Sequence, residues 1–265
     1  MTDTKALIFD IQRNSFVDGP GIRTTVFFKG CNLSCAWCHN PEGQSPHREW
    51  MLYRERCKGC GACEKQEDAI CPNEARVLCG REYTVSEVLA ECLKDRLFFD
   101  ASGGGVTFSG GECMLRIDFL EQILAACKAH GIHTAVDTAG HVPYESFERI
   151  LPYTDLFLYD VKCMDPVRHK ELTGVENGLI LENLEKLLRS GRSVWVRVPL
   201  VPTVNDREEE LLAIRAFLDR CGTPERVELL PYHAMGEHKY EAIGRTCRSF
   251  ETPSVETMES FRRIF

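Results

Sequence analysis

FFKGCNLSCAWCHNPEG, residues 27–43, is the stretch that decides the prediction of the fold and of the site. Its three cysteines, Cys31, Cys35 and Cys38, have the spacing C-x3-C-x2-C and directly follow an apolar run typical of a buried strand. Structural zinc is held by four protein ligands, and His39 would have to be the fourth here. A histidine directly after a cysteine rarely lets both side chains reach one tetrahedral centre. The three thiolates therefore favour a [4Fe–4S] cluster with one iron left open for a substrate or cofactor.

The overall composition is that of an ordinary globular protein. The chain has 265 residues, 43% hydrophobic and 27% charged, enough for one large α/β domain or two small ones. Its net charge of −8, without a basic block, argues against a nucleic-acid partner. No apolar run is long enough to span a membrane, and the start, MTDTKALIFDIQRNS, lacks the layout of a signal peptide. We therefore expect a cytoplasmic protein without a membrane partner.

Cysteine is frequent, with 14 residues, and eight of them fall between residues 31 and 79. Disulfides belong mainly to exported proteins, whereas clustered cysteines in the cytosol indicate metal binding or catalysis. The other six are scattered, and a free cysteine commonly behaves as a small buried hydrophobe. We expect that role for Cys92, Cys113, Cys127, Cys163, Cys221 and Cys247.

Short apolar, β-branched runs predict six strands, at 24–30, 105–110, 133–138, 156–162, 194–201 and 226–233. Amphipathic patterns between them predict helices at 84–98, 117–130, 179–189 and 207–218, with a short helix after Pro143. Strands that alternate with helices favour a parallel sheet with right-handed crossovers, either doubly wound or closed toward a barrel.

Polar residues at the ends of the predicted strands favour the barrel. SGGE follows the second strand and DTAG ends the third, while Asp160 and Lys162 end the fourth. Arg197 lies late in the fifth strand and His233 ends the sixth. Barrel sites gather at this carboxyl-terminal mouth. We predict an α/β fold, a partial, open (β/α)6 barrel built from residues 1–47 and 81–265 and interrupted by a small module at 48–80. Its open side would suit a macromolecular substrate.

The motifs together resemble one family. C-x3-C-x2-C with Trp37 before the last cysteine resembles the radical S-adenosylmethionine superfamily. DGPGIRTTVFFKGCNLSCAWCHNPEG, ASGGGVTFSGGE, DTAG, LYDVK and ELLPYH, in this order, resemble the glycyl-radical-enzyme activating enzymes, the family of the pyruvate formate-lyase activase. The resemblance covers residues from about 7 to 240 and is far more specific than the three cysteines alone.

The resemblance implies an activity and a site. Cys31, Cys35 and Cys38 would hold a [4Fe–4S] cluster whose open iron binds S-adenosylmethionine. Reductive cleavage would give a 5′-deoxyadenosyl radical that abstracts a glycine Cα hydrogen from a partner glycyl radical enzyme. Residues placed near the cofactor by the resemblance are Trp37, His39, Gly110, Gly111, Glu112, Asp137, Thr138, Asp160, Lys162, Arg197 and His233.

Several of these residues have a simpler alternative interpretation. The glycine pair could form a plain turn after its strand, and the carboxylates could form salt bridges at the rim. If the resemblance holds instead, Asp137 and Thr138 would help to hold a monovalent cation at the methionine end. Trp37 either lies against the adenine or packs in the protein. Asp18, in DGPG, is a candidate contact to the partner's glycine loop, or part of a tight turn.

The module at 48–80 resembles a ferredoxin cluster motif. Cys57, Cys60 and Cys63 fit C-x2-C-x2-C, and Cys71 precedes a proline as in ferredoxins, although seven residues separate Cys63 from Cys71. A second [4Fe–4S] cluster would take Cys71, or else Cys79, as its fourth ligand, and we favour Cys71. A four-cysteine zinc site fits the same residues. An iron–sulfur cluster here would relay or store electrons for the first one.

The expected partners are a glycyl radical enzyme as protein substrate and a flavodoxin or ferredoxin as electron donor, with the chain itself a monomer. Three other functions stay open at this point. One is a radical enzyme acting on a small molecule, of the 7-carboxy-7-deazaguanine synthase type. The others are a ferredoxin-like electron carrier and a zinc-binding interaction protein. The presence of the predicted module argues against the chain being the pyruvate formate-lyase activase itself.

Overall fold

The structure, a computed structural model, describes residues 4–65 and 70–265; residues 1–3 and 66–69, the latter inside the predicted module, lie outside it. The strands are β1 Lys5–Ser15, β2 Arg23–Phe28, β3 Glu49–Leu52, β4 Arg76–Cys79, β5 Arg81–Thr84, β6 Gly105–Gly110, β7 His133–Thr138, β8 Leu156–Asp160, β9 Val194–Leu200 and β10 Arg226–Pro231. The helices are α1 Ala62–Lys65, α2 Val85–Leu93, α3 Arg96–Ser102, α4 Ile117–Ala129, α5 Tyr144–Ile150, α6 Pro166–Thr173, α7 Gly178–Arg189, α8 Glu208–Cys221, α9 Glu237–Ala242 and α10 Val255–Arg262.

Eight strands form the main sheet in the order β10-β9-β8-β7-β6-β2-β1-β5. The six strands predicted from the sequence, β2 and β6 to β10, pair in parallel through five neighbouring ladders. The two end strands, β10 and β5, lie at opposite edges of this order, so the sheet stays open as predicted. Helices α4, α5, α7 and α8 connect successive parallel strands, which confirms the α/β prediction.

The two faces of the parallel strands have different chemistry because side chains alternate along a strand. Val136, Phe157, Tyr159 and Val196 are fully buried on the outer face, within the large core cluster that the helices share. The alternate positions of β7, β8 and β9 carry charged side chains near their carboxyl ends. The outer face therefore stabilises the fold, and the inner face is free to form a polar site.

Two antiparallel strands of the main sheet, β1 and β5, were not predicted from the sequence. β1 pairs with β2 on one side and with β5 on the other, extending the sheet beyond the first parallel strand. The sequence of β1, KALIFDIQRNS, is apolar mainly in its first half, and its second half is largely exposed. Strand pairing from distant neighbours thus decides the conformation of this segment rather than its own hydrophobic pattern.

The helix predicted over 84–98 is wrong in its length. α2 ends at Leu93 and α3 begins at Arg96. Between them the carboxylate of Asp95, only 1% exposed, accepts hydrogen bonds from Thr24 Oγ1 at 2.6 Å and from Arg13 Nε at 2.8 Å. A buried carboxylate requires such partners, and reaching them breaks the helical path.

The predicted module contains a separate two-stranded sheet. β3 and β4 pair antiparallel, with Glu49 opposite Cys79 and Leu52 opposite Arg76. The guanidinium of Arg76 lies 3.7 Å from the ring centroid of Trp50, which helps to hold the two strands together. This pairing brings the two ends of the module together, and Met51 and Cys79 pack with Ala242 of α9.

Among the helices of residues 4–65 and 70–265, none has the length and the apolar character that crossing a bilayer requires.

Candidate active site

The three-cysteine loop lies at the carboxyl end of β2 and is held from both sides by backbone hydrogen bonds. Cys31 N–H donates to Gln44 O at 3.0 Å, in the turn that follows the loop. Ser34 N–H donates to Thr173 O at 2.8 Å, at the end of α6. Backbone contacts to the following turn and to α6 thus help to shape the loop.

The three cysteines of the loop are half-buried and near enough to one another for their charges to interact. Burial raises the pKa of both Cys31 and Cys38 to about 12, and the charge of Glu112 adds to the effect at Cys31. Burial also raises the pKa of Cys35, while the ammonium of Lys162 opposes it. Neutral thiols that meet in this way lose their protons when a thiophilic metal centre binds, so the donor set fits an iron–sulfur cluster.

A group of buried charges lies on the inner face next to the loop. Arg197 on β9 places Nη1 3.8 Å from Asp137 Oδ1 and Nε 3.5 Å from Asp160 Oδ1. Lys162 Nζ donates to Asp160 Oδ2 at 2.7 Å. Four predicted residues from three adjacent strand ends therefore meet in one place, as their positions at the mouth predicted.

The charged side chains of this group shift one another's pKa values. Burial and the charge of Asp160 raise the pKa of Asp137 to about 6, although Arg197 opposes the rise. Burial alone would raise the pKa of Asp160, but Lys162 and Arg197 hold it below its usual value. Burial would lower the pKa of Lys162, and the charges of Asp160 and Cys35 hold it above its usual value.

Two polar atoms of the group are left without a hydrogen bond in the part of the chain that the structure describes. They are Asp160 Oδ1 and Arg197 Nε, both fully buried. Buried polar atoms in proteins nearly always have a partner, so such a pair indicates that a ligand completes the site. A buried acceptor 3.5 Å from a buried donor, neither of them hydrogen-bonded, suits a zwitterion with an ammonium and a carboxylate, as in the methionine part of S-adenosylmethionine.

Glu112 and Thr138 form a clamp rather than a free acid group. Both oxygens of Glu112 accept from Thr138 Oγ1, at 2.8 and 2.9 Å, and the N–H groups of Ala139 and Met114 also donate to this carboxylate. Burial raises the pKa of Glu112 to about 7 against these hydrogen bonds. The clamp fixes the end of β6 against the end of β7, beside the cysteine loop.

Gly110 and Gly111 approach the backbone of β2 very closely. An added Cβ would lie 2.2 Å from Phe28 N at Gly110 and 2.3 Å from Gly30 O at Gly111. Gly110 also has a φ of +117°, which favours glycine. Both glycines are thus required for the fold itself, whatever they contact in a bound cofactor.

Three predicted residues lie beside the loop: Trp37 is buried, His39 is half-buried and His233 is exposed. Trp37 is buried in a small apolar cluster and meets the ring of Phe250 edge-on at 6.4 Å. The rings of His39 and His233 lie 3.9 Å apart, and burial with the charge of His233 lowers the pKa of His39 to about 4. Of the two interpretations of Trp37, the structure supports packing for its side chain.

Asp18 reaches the inner face from the turn between β1 and β2. Its carboxylate accepts from Ser15 Oγ at 2.6 Å and from Thr25 Oγ1 at 2.7 Å. Its charge also contributes to the raised pKa values of Asp137 and Arg197. The turn therefore brings Asp18 into the electrostatic environment of the predicted cofactor site.

The cysteines of the module occupy different surroundings. Cys57 and Cys60 are exposed, Cys63 and Cys71 are half-buried, and Cys79 is buried in β4. Backbone N–H groups, that of Asn73 first, lower the pKa of Cys71, whereas burial raises the pKa of Cys79. These surroundings favour Cys71 over Cys79 as the thiolate ligand. In residues 4–65 and 70–265, no group of three or more His, Cys, Asp or Glu side chains is arranged to hold a single metal ion.

Two residues of the site were not named by the sequence analysis. Ser109 Oγ donates to Asp137 Oδ2 at 2.7 Å, and its alternation with Thr107 on β6 is a pattern that points to the inner face. Tyr240 on α9 lies beside Cys38, although 201 residues separate the two in the chain. No local pattern could have indicated that contact.

An open, mostly parallel sheet with a three-cysteine loop at its mouth defines the radical S-adenosylmethionine class of enzymes. The family model described as Radical SAM superfamily matches residues 25–214. Within that class, the chain belongs to the glycyl-radical-enzyme activating enzymes, because curated relatives that it covers almost completely are enzymes of this kind.

Two of these relatives and one solved structure illustrate the likeness. The trans-4-hydroxy-L-proline dehydratase activating enzyme of Clostridioides difficile is 40% identical, over 98% of this chain and 95% of the relative. The choline trimethylamine-lyase activating enzyme of Oleidesulfovibrio alaskensis is 43% identical, over 92% and 89%. A domain of the pyruvate-formate lyase-activating enzyme from Bacteroides vulgatus has a TM-score of 0.53 and 34% identity, covering 61% of this chain and 92% of that one.

The likeness confirms the family, the enzyme class and the radical S-adenosylmethionine fold predicted from the sequence. The chain is a radical S-adenosylmethionine enzyme, and its family uses a [4Fe–4S] cluster and S-adenosylmethionine to activate glycyl radical enzymes. The alternative of a radical enzyme acting on a small molecule is disfavoured, because the chain matches activating enzymes over nearly their whole length.

Proposed function

We propose that Cys31, Cys35 and Cys38 hold the cluster and that the charged group beside them binds the methionine end of S-adenosylmethionine. The bound cluster and cofactor supply the reductive cleavage that yields a 5′-deoxyadenosyl radical, the species that takes a hydrogen from the partner's glycine. The observation that carries this proposal is a pair of buried atoms without a hydrogen bond, Asp160 Oδ1 and Arg197 Nε, which lie 3.5 Å apart on the inner face. Arg197 would pair with the carboxylate of the cofactor and Asp160 with its ammonium.

The remaining residues of the mouth orient and shield the cofactor. Glu112 and Thr138 keep the ends of β6 and β7 in register, so the backbone after Gly110 faces the loop. Asp137 and Thr138 would supply oxygen ligands to a monovalent cation at the methionine end, since hard cations prefer oxygen. The buried Trp37 and the half-buried His39 shield the side of the loop next to α9, with the exposed His233 at its rim.

The macromolecular substrate is proposed to enter from the open side of the sheet. Asp18 would contact the glycine loop of the partner, because its turn reaches the inner face and carries two exposed apolar side chains, Phe16 and Val17. Exposed apolar groups next to a polar site are typical of protein-binding surfaces. We further propose that the enzyme is a cytoplasmic monomer that receives electrons from a flavodoxin or ferredoxin.

The decisive test is to look for the radical itself. The protein, reconstituted anaerobically with iron and sulfide, is expected to cleave S-adenosylmethionine on reduction and to produce an EPR glycyl-radical doublet in its partner. The partners to be tried are a trans-4-hydroxy-L-proline dehydratase, a choline trimethylamine-lyase and a pyruvate formate-lyase, following the names of the relatives. Cleavage without a doublet in any glycyl radical enzyme would contradict the proposal.

We also propose that Cys57, Cys60, Cys63 and Cys71 hold a second [4Fe–4S] cluster that relays electrons to the first. Cys71 is supported by the backbone N–H groups that favour its thiolate, while Cys79 is buried with its Sγ 4.0 Å from Lys29 Nζ. A zinc site with the same ligands is the alternative, and metal analysis separates the two by iron or zinc content.

Replacing Cys60 by alanine separates relay from catalysis. We expect Cys60→Ala to lose about half of its iron, as expected if one of two [4Fe–4S] clusters is lost. Cleavage of S-adenosylmethionine should continue with a strong artificial reductant but fall by about tenfold or more with reduced flavodoxin, because only the relay is broken. Equal cleavage rates with both reductants in the variant and the parent would contradict the relay.

A further inference from the structure

The segment after β10 covers the three-cysteine loop from one side. It includes α9, which is fixed to the turn after the loop by Lys239, whose Nζ donates to Asn40 Oδ1 at 2.8 Å and to Glu42 Oε1 at 2.7 Å. Tyr240, the next residue, is only 8% exposed and points back toward the loop. Helix α9 thus carries a buried hydroxyl to the cysteine loop.

The hydroxyl of Tyr240 has no hydrogen-bond partner in the described part of the chain. It lines a cavity of about 10 Å³ together with Cys38, Cys247 and His39, a space about the size of one water molecule. The hydroxyl therefore lies beside Cys38 without a hydrogen bond, next to a space that a single water molecule would fill.

Tyr232 provides a contrast within the same cavity. It is also buried, at 5% exposure, but its hydroxyl donates to Glu237 Oε1 at 2.7 Å. The two tyrosines thus have similar burial and the same chemistry, and only Tyr240 has a free donor beside a cysteine of the loop. This difference shows that the free hydroxyl is a specific feature of position 240.

We propose that Tyr240 is a positioning residue whose hydroxyl donates a hydrogen bond to the sulfur of Cys38 in the loaded enzyme and so makes the site cluster easier to reduce. The inference rests on the proposed function, which makes Cys38 a cluster ligand. Hydrogen bonds to cluster sulfurs stabilise the more negative, reduced form and are a known control of reduction potential. A buried tyrosine is suited to this task because it adds no charge of its own.

The test is the reduction potential of the site cluster, measured by EPR-monitored redox titration. To avoid overlap with a second cluster, all variants are made in the Cys60→Ala background. We expect Tyr240→Phe to keep its iron content and to make reduction less favourable by about tenfold in the equilibrium constant, or about 59 mV for a one-electron couple. Tyr232→Phe, the matched control, should stay within about twofold of the background protein in the same titration.

A second substitution tests the sign of the effect. Incorporation of 3-fluorotyrosine at position 240 strengthens the donor without removing the ring, so the potential should move upward. An unchanged potential in both Tyr240 variants, or equal shifts in Tyr240→Phe and Tyr232→Phe, would overturn the inference. Failure of the proposed function is distinguishable, because the background protein would then lack the iron–sulfur absorption and the EPR signal altered by S-adenosylmethionine.

Discussion

Replacement of Cys35 by alanine is expected to reduce cleavage of S-adenosylmethionine by more than about a thousandfold, because the reaction depends on the cluster for its electron. Cys35 is one of three thiols in a loop shaped by the backbone, so its loss leaves the loop intact but the cluster without a ligand. We expect the variant to lose about four irons per chain, the content of one [4Fe–4S] cluster. The glycyl-radical doublet in the partner should disappear with the cleavage.

Cys221→Ala is the matched control for this experiment. Cys221 is also buried, but it ends α8, ahead of β10 and away from the mouth of the sheet. Its removal should lower the stability by about 1 kcal/mol and leave iron content and cleavage unchanged. A Cys35→Ala protein that retains both full iron and cleavage would refute the assignment of the loop as the site.

Replacement of Arg197 by methionine is expected to reduce both the stability of the protein and the cleavage of S-adenosylmethionine. Arg197 is buried between Asp137 and Asp160, so its removal leaves two buried carboxylates facing each other. Breaking a buried ion pair in this way costs about 3–5 kcal/mol in the free energy of unfolding. Cleavage of S-adenosylmethionine should fall by about a hundredfold or more even where the protein stays folded, since a positioning contact is worth about this much.

The loss of stability in Arg197→Met should be smaller at low pH than at high pH. The folded-state pKa of Asp137 is already raised to about 6 and rises further without Arg197, while the unfolded value stays near its usual one. The folded variant therefore binds the proton more tightly than the unfolded chain, and its stability recovers as the pH falls through the folded pKa. Denaturant unfolding of the metal-free protein at pH 8 and pH 5.5 measures this difference.

Two variants control for the arginine. Arg189→Met removes an exposed arginine from its pair with Glu185 on α7 and should change the stability by less than about 0.5 kcal/mol. Arg197→Met combined with Asp137→Asn removes one of the opposed charges and should regain much of the stability without regaining cleavage. If Arg197→Met is as stable as the parent protein at pH 8, the buried network does not have the energetic role described here.

Periodicity was sufficient to predict the parallel part of the fold. The six parallel strands and the helices between them repeat hydrophobic patterns that each segment carries by itself, as in Val194–Leu200 with its alternating burial. The antiparallel β1 lacks such a pattern in its second half and forms because β2 and β5 offer their edges. The break between α2 and α3 depends on Arg13 and Thr24, which are more than 70 residues away.

The candidate site also contains residues that the sequence could predict and contacts that it could not. Asp137, Asp160 and Arg197 could be predicted because strand ends of a parallel sheet converge, which places distant residues at one mouth. Motif position alone could not show that the oxygens of Glu112 are taken up by Thr138, or that Trp37 packs in a cluster. The hydroxyl of Tyr240 depends on the path of the chain after β10, which no local pattern specifies.

The backbone bonds that hold the cysteine loop also constrain the order of biosynthesis. Ser34 is tied to Thr173, 139 residues later, and Ala36 to Leu172, so the loop cannot reach its final shape on the ribosome until α6 has been made. Long-range contacts of this kind form late in folding. A cluster held by Cys31, Cys35 and Cys38 would therefore be completed only after the chain has been made as far as α6.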